Sequence, residues 1–173
     1  MLSNVAKNSQ MKSEKEKQFE ELVKQYKRTI YSVCYMFSRD TEEVNDLFQE
    51  ILIRLWLGFD QFENRSSACT WIYRIALNTA INSDKRAKRR PQTIPLSSDI
   101  DPYDPQDDSL GQIRQLHALI NQLDLMDRAL VLLWLEGIGY DEIAAIMGIT
   151  VANVGIKLHR IKEKLIQKSK SIN

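Results

Sequence analysis

All four prolines of this 173-residue chain, Pro91, Pro95, Pro102 and Pro105, fall within the single stretch PQTIPLSSDIDPYDPQDDS at residues 91–109. A proline removes a backbone donor and biases the residue before it away from helix. The stretch therefore resists helix formation, and the rest of the chain carries no such bar. The same stretch holds five Asp and no basic residue. Its large apolar residues, Ile94, Leu96, Ile100 and Tyr103, stand apart from one another. It is longer than most loops inside a compact domain, and proline with self-repelling Asp favours an extended tether. The sequence thus predicts an N-terminal tail at 1–17, a domain at 18–90, an acidic linker at 91–109 and a second domain at 110–173.

The formal net charge of +1 conceals this pattern. Residues 1–90 hold 16 Lys and Arg against 12 Asp and Glu, and residues 110–173 hold 8 against 6. One basic concentration lies at Asn82–Arg90, with five positive charges against one negative, and the other at Lys157–Lys170, with six against one. An apolar share of 43% is enough for a packed core. No apolar run approaches the roughly 18 residues that cross a bilayer. Met1 to Lys17 is polar, without an apolar stretch of signal-peptide type. A cytoplasmic chain with no membrane insertion is expected. Cys34 and Cys69 cannot build a disulfide framework, and neither has a partner at metal-ligand spacing.

Periodicity predicts an all-α chain. Phe19, Val23, Tyr26, Ile30, Val33 and Phe37 recur every three or four residues. Thr41 is the expected N-cap of a second helix, with Glu42 and Glu43 matching the dipole. Val44, Leu47, Phe48, Ile51 and Leu55 form its stripe, Leu52, Ile53 and Trp56 widen its apolar surface, and Gly58 is its expected stop. A third helix is expected from about Ala68 to Arg86, with Trp71, Ile72, Ile75, Ala76 and Thr79 inward. By periodicity Trp71 is core rather than a stacking platform. In the second half, helices are expected at Leu110–Gln122, Met126–Leu135, Tyr140–Met147 and Thr150 to about Lys168.

The last two elements carry the strongest local signal. Gly148 permits the positive φ of a tight turn, and Thr150 caps the helix that follows. Val154, Leu158, Ile161 and Leu165 make a buried stripe, which leaves Ala152, Asn153, Ile156, His159, Arg160 and Glu163 on the opposite face. A short helix, a glycine turn and a longer helix with a basic flank form a helix-turn-helix, whose second helix fits a major groove. An ordinary helical hairpin with a solvated basic end is the plainer alternative, since late lysines also complement the helix dipole. No Ser/His/Asp set, P-loop, cofactor motif or metal cluster is present, and His117 and His159 stand alone, so no catalytic residue, cofactor or metal is assigned.

Two separated segments then carry a resemblance. The first runs Asp46-Leu47-Phe48-Gln49-Glu50-Ile51-Leu52-Ile53-Arg54-Leu55-Trp56, followed by Phe62, by Thr70-Trp71-Ile72-Tyr73-Arg74-Ile75-Ala76-Leu77-Asn78 and by a basic tail at Lys85–Arg90. The second runs Glu136-Gly137-Ile138-Gly139-Tyr140-Asp141-Glu142-Ile143-Ala144 and continues to Leu158-His159-Arg160. In this order and spacing they resemble the extracytoplasmic-function (ECF) group of bacterial sigma factors, the promoter-specificity subunits of RNA polymerase, over about residues 18–167. The chain departs from the pattern at Gly155 and Ile156, where the family has Lys or Arg and then Ser.

The resemblance implies a protein that binds core RNA polymerase (clamp helices and flap) and promoter DNA and helps melt the start-proximal element. It also implies an anti-sigma protein as partner. Asp46, Gln49, Glu50, Ile53 and Arg54 are its implied polymerase contacts, although Ile53 and Trp56 can equally be core. Asn64, Arg65, Ser66, Ser67, Arg74, Asn78, Asn82, Lys85 and Arg86 are expected at the start-proximal (−10) element. Ala152, Asn153, Ile156, Lys157, His159, Arg160, Lys162 and Lys164 are expected at the upstream (−35) element, the lysines on phosphates. A free-standing dimeric helix-turn-helix regulator is the competing reading. It has no need of the Asp46–Trp56 helix with its aromatic loop.

Overall fold

A computed structural model describes residues 2–62, 67–88, 116 and 118–170, with the side chains of 2–13 and 86–88 excluded. Among the described residues every regular element is helical. Helix α1 spans Leu2–Phe37 and α2 spans Thr41–Gly58, which leads into a 3-10 turn at Phe59–Gln61. Helix α3 spans Ala68–Lys88, α4 Leu125–Leu135, α5 Tyr140–Met147 and α6 Val151–Lys170. The linker at 91–109 and most of the helix expected at Leu110–Gln122 lie outside the described residues, although Leu116 and 118–120 are helical.

Helix α1 corrects the first expectation. The segment assigned to a tail at 1–17 is helical from Leu2. No Gly or Pro interrupts Met1 to Phe37, and the Lys, Glu and Gln that fill it propagate a helix well. Apolar periodicity begins only at Phe19, which hid the extra turns. Lys15 anchors them: its Nζ lies 2.6 Å from Asp60 Oδ2 and 4.4 Å above the Trp56 ring. Phe19 meets Trp56 and Phe59 edge-on at 5.1 and 5.4 Å.

The cap of α2 is a second correction. Asp40, not Thr41, is the N-cap: its backbone is extended, and its Oδ1 accepts from the Glu43 N–H at 2.8 Å. Glu43 Oε2 in return accepts from the Arg39 N–H at 2.8 Å, a reciprocal pairing that satisfies two donors at the helix entry. Gly58 does end α2, but with φ −89 rather than a left-handed turn. A Cβ there would stand 3.4 Å from Trp71 Cζ2, the near edge of ordinary contact, so the indole packs closely against this turn. Ile30, Val33 and Phe37 of α1, Val44, Leu47, Ile51 and Leu55 of α2, and Ile72, Tyr73, Ala76 and Ala80 of α3 are all buried.

Asp124 caps α4 by accepting from the Met126 and Asp127 N–H groups at 3.1 and 2.9 Å. Gly148 closes α5 at φ +68, where the Ile149 N–H reaches the Ala144 carbonyl at 3.1 Å. Thr150 Oγ1 accepts from the Asn153 N–H at 3.3 Å. Helices α5 and α6 cross at 97°, within the range of a helix-turn-helix. Val154, Leu158 and Ile161 of α6 are buried with Leu130 and Leu133 of α4 and Ile143 of α5. Complete burial of each such side chain contributes about 1.5–3 kcal/mol.

The two groups of helices meet. Helix α3 packs along α5, and both α1 and α3 touch α4. The buried side chains of all six helices belong to one continuous cluster.

Candidate promoter and polymerase interfaces

The outward face of α2 follows from its buried one. Val44, Leu47, Ile51 and Leu55 turn inward, which leaves Asp46, Gln49, Ile53 and Arg54 exposed and Glu50 half-buried. Arg54 Nη2 pairs with Glu50 Oε1 at 3.0 Å, one turn apart. Ile53 exposes 59% of its surface and Leu57 71%. Leu57 was missed in the sequence, although its spacing of four from Ile53 was the available signal. Trp56 does not join this face: it is half-buried beneath Lys15 and Phe19. An exposed apolar ridge edged by polar groups is the form a protein-docking face takes.

Helix α3 begins at a polar cluster. Ser67 Oγ accepts from the Thr70 N–H at 3.0 Å and donates to Thr70 Oγ1 at 2.9 Å. Thr70 Oγ1 donates to Glu142 Oε1 of α5 at 2.8 Å, and the single Ser67 proton is shared between Thr70 Oγ1 and that same Oε1, 3.1 Å away. One turn on, Arg74 donates from Nε and Nη2 to the Ala145 carbonyl, also in α5. Asn78, Asn82 and Lys85 continue along the helix, all exposed. Ser67, Arg74, Asn78, Asn82 and Lys85 thus share one side of α3, and its amino-terminal part is already in contact with α5. Asn64, Arg65, Ser66 and the Arg86 side chain lie outside the described residues. Trp71 is half-buried and stacks on Phe62 at 4.7 Å between ring centres, sealing the start of the aromatic loop.

Helix α6 presents Ala152, Asn153, Ile156, Lys157, His159 and Arg160 to solvent. His159 Nδ1 lies 3.6 Å from Glu163 Oε2. Lys162 and Lys164 are exposed too, but both reach back towards α4. Lys162 Nζ sits 4.1 Å above the Trp134 ring, and Lys164 Nζ lies 3.5 Å from Asp127 Oδ2. Burial and the neighbouring Asp124 push the Asp127 carboxyl up from the ordinary range, against the pull of Lys164. At Gly155 a Cβ would stand 3.8 Å from Tyr140 Cε2, an ordinary contact, so packing does not demand glycine there.

Burial pushes the Cys34 thiol up to about 12. Burial and then Glu142 raise the Cys69 thiol as well. Among the described residues no three His, Cys, Asp or Glu gather as metal ligands, and no single helix is long and apolar enough to cross a membrane.

Two family models match the chain: Sigma-70 region 2 at residues 22–90 and Sigma-70 region 4 at residues 113–165. The ECF RNA polymerase sigma factor SigW of Bacillus subtilis is 30% identical over 174 residues, covering 90% of this chain and 91% of that protein. The RNA polymerase sigma-H factor of Pseudomonas aeruginosa is 29% identical, covering 85% and 83%. Among solved structures, CnrH in complex with the cytosolic domain of CnrY superposes with a TM-score of 0.69 at 18% identity, over 91% of each chain. The sigma factor RpoE in complex with the anti-sigma factor NepR from Bartonella quintana gives 0.67 at 20%, over 89% of this chain and 98% of that one. Those two likenesses speak for the fold, and the match to SigW over nearly the whole of both chains speaks for the family: the chain belongs to the ECF RNA polymerase sigma factors.

Proposed function

We propose that the two halves of this sigma factor, 18–90 and 110–173, act as separate domains on one polymerase, with the acidic linker between them. The α2 face of Asp46, Gln49, Glu50, Ile53 and Arg54, extended by Leu57, docks on the clamp helices of core RNA polymerase. The α3 strip and the preceding loop hold the start-proximal promoter element, and α6 enters the upstream major groove. Lys157 is the phosphate contact best placed on α6, since Lys162 and Lys164 are drawn towards α4. Where the family carries a cation and Ser, Gly155 and Ile156 shift base reading towards apolar contact with a thymine methyl.

The observation that carries this reading is the ridge of Ile53 and Leu57. Two large apolar side chains left in water, 59% and 71% exposed, are what a partner-docking helix presents, and they stand on α2, outside the helix-turn-helix of α5 and α6. The modest basic patches fit weak DNA binding by the chain alone, because affinity grows with the number of phosphates neutralised. Polymerase tethers both halves and raises their effective concentration. The protein works in the cytoplasm, performs no bond chemistry of its own, and is held in reserve by an anti-sigma protein, as the CnrY and NepR complexes of its structural neighbours suggest. The linker's five Asp suit a basic channel of the polymerase rather than DNA.

The test mixes the full chain with core polymerase and a library of genomic promoter fragments and reads permanganate reactivity of unpaired thymines. The expected result is opening at a defined subset that depends on the added chain. Tight binding of the chain alone to a palindrome, with no opening, would favour the dimeric regulator instead.

A further inference from the structure

Phe62 and Ser67 bound the segment assigned above to the start-proximal promoter element, and both ends are tied down. Ser67 Oγ accepts from the Thr70 N–H at 3.0 Å, which caps α3. The Phe62 N–H donates to the Phe59 carbonyl at 3.2 Å, and the Phe62 ring stacks on Trp71 at 4.7 Å. Phe59 is in turn held from α1. Phe19 meets both Phe59 and Trp56 edge-on, a favoured arrangement of aromatic rings. One turn earlier, Lys15 Nζ donates to Asp60 Oδ2 at 2.6 Å and lies 4.4 Å above the Trp56 ring. The Lys15 side chain is 26% exposed, whereas Lys24 of the same helix, paired with Glu20 one turn away, is 71% exposed. Lys15 thus lays its stem on aromatic surface and directs its charge to a turn 45 residues away.

We propose that Lys15 is a positioning residue for promoter opening: by bridging Trp56 and Asp60 it fixes the turn at Phe59–Gln61, and with it the point at which the chain leaves Phe62 for the promoter-binding segment. An exposed ion pair alone contributes little. Here the ring beneath the ammonium adds a cation–π attraction, and the Phe19 contacts extend the brace to Phe59. The turn needs such a brace, because a 3-10 element has poorer hydrogen-bond geometry than an α-helix. Capture of a base from the duplex must also meet the cost of unstacking it, and a receptor ordered beforehand avoids a further ordering cost. Lys15 and Phe19 both precede residues 22–90, the part matched to Sigma-70 region 2, so the brace comes from the amino-terminal part of α1 outside that match. This proposal rests on the promoter role given above to the segment before α3.

The test assembles core polymerase with the full chain as wild type, Lys15→Ala, Lys15→Arg or Asp60→Asn. Three quantities are read for each: permanganate reactivity on a promoter fragment that the wild type opens, affinity for core polymerase, and affinity of the holoenzyme for a duplex truncated to the upstream element. Lys15→Ala is expected to lower opening about fivefold, the factor of one cation–π contact, with the other two affinities unchanged. Asp60→Asn is expected to lower opening in the same direction, and Lys15→Arg to recover most of it, since a guanidinium also pairs with a carboxylate and stacks on a ring. Equal opening by wild type and Lys15→Ala would overturn the positioning role. So would a parallel fall in all three quantities, which marks general damage to the fold. A rise in opening with Asp60→Asn would overturn it too, because a lysine acting directly on a phosphate gains when its competing carboxylate is removed. If Lys15→Ala does not fold, Lys15→Met keeps an apolar stem over Trp56, removes the charge, and is judged by the same readings. Failure of the wild-type holoenzyme to open any fragment strikes the functional reading and this proposal with it, whereas opening that is indifferent to Lys15 strikes this proposal alone.

Discussion

Helices α3 and α6 each display a polar, basic strip that we assign to promoter DNA, yet the two strips are in different states. On α6, Ala152, Asn153, Ile156, Lys157, His159 and Arg160 all face solvent. At the start of α3, Ser67, just before its first residue, and Arg74 are bonded to α5, and Thr70 between them is buried. Similar composition has produced one open surface and one partly covered. The difference lies in what stands opposite: a carboxylate and a helix-terminal carbonyl complement the start of α3, and no such pair faces α6 among the described residues. A basic strip in a sequence thus says what it can bind, and its neighbours decide whether it is free to do so.

The largest effect should come from the shared core. Leu158→Ala removes a side chain that is 1% exposed and should cost about 2–5 kcal/mol. Because the buried residues of both groups form one cluster, urea should unfold the variant in a single earlier transition. A second transition remaining at the wild-type midpoint would show that the halves do not support each other, and the contrast between the strips would lose its structural basis.

Next comes the contrast itself. Arg160→Ala should weaken binding of the holoenzyme to upstream promoter DNA by about 1–3 kcal/mol if the side chain reads a base. Arg74→Ala should have a smaller net effect on start-proximal binding, since it removes a DNA contact and loosens the α5 contact together. Equal losses would count against closure at α3. Ile53→Asp should reduce association with core polymerase at least tenfold while moving stability by no more than about 0.5 kcal/mol, as for a surface substitution.

Smaller effects refine the picture of α6. Gly155→Ala meets only an ordinary contact with Tyr140 and should stabilise the protein by about 0.5–1 kcal/mol, read as a higher midpoint in urea. Alkylation reports on the first half: a thiol pushed up to about 12 holds almost no thiolate at pH 8. Cys34 should therefore stay unmodified while the less buried Cys69 reacts slowly.

The sequence conveyed the helical pattern well wherever apolar residues kept a period. The glycine turn at Gly148, the Thr150 cap and the stripe of Val154, Leu158 and Ile161 could all be read from it. It failed where structure comes from polar residues. The first turns of α1 carry no apolar stripe and are anchored by Lys15 on Trp56 and Asp60, a pairing 45 residues apart. Asp40 and Thr41 are both competent caps, and only backbone geometry separates them. The meeting of Thr70 with Glu142, 72 residues apart, leaves no periodic trace in either segment. Leu57 was hidden by its place at a helix end, and the faces of Lys162 and Lys164 depend on Trp134 and Asp127, which periodicity within α6 does not contain.

The central claim is that this chain works as a subunit of the transcribing enzyme, docked through the outer face of α2. Analytical ultracentrifugation of the full chain with core RNA polymerase at low salt tests it directly. The account predicts a one-to-one complex that withstands moderate salt and is lost with Ile53→Asp; separate sedimentation of the two components at low salt would contradict it.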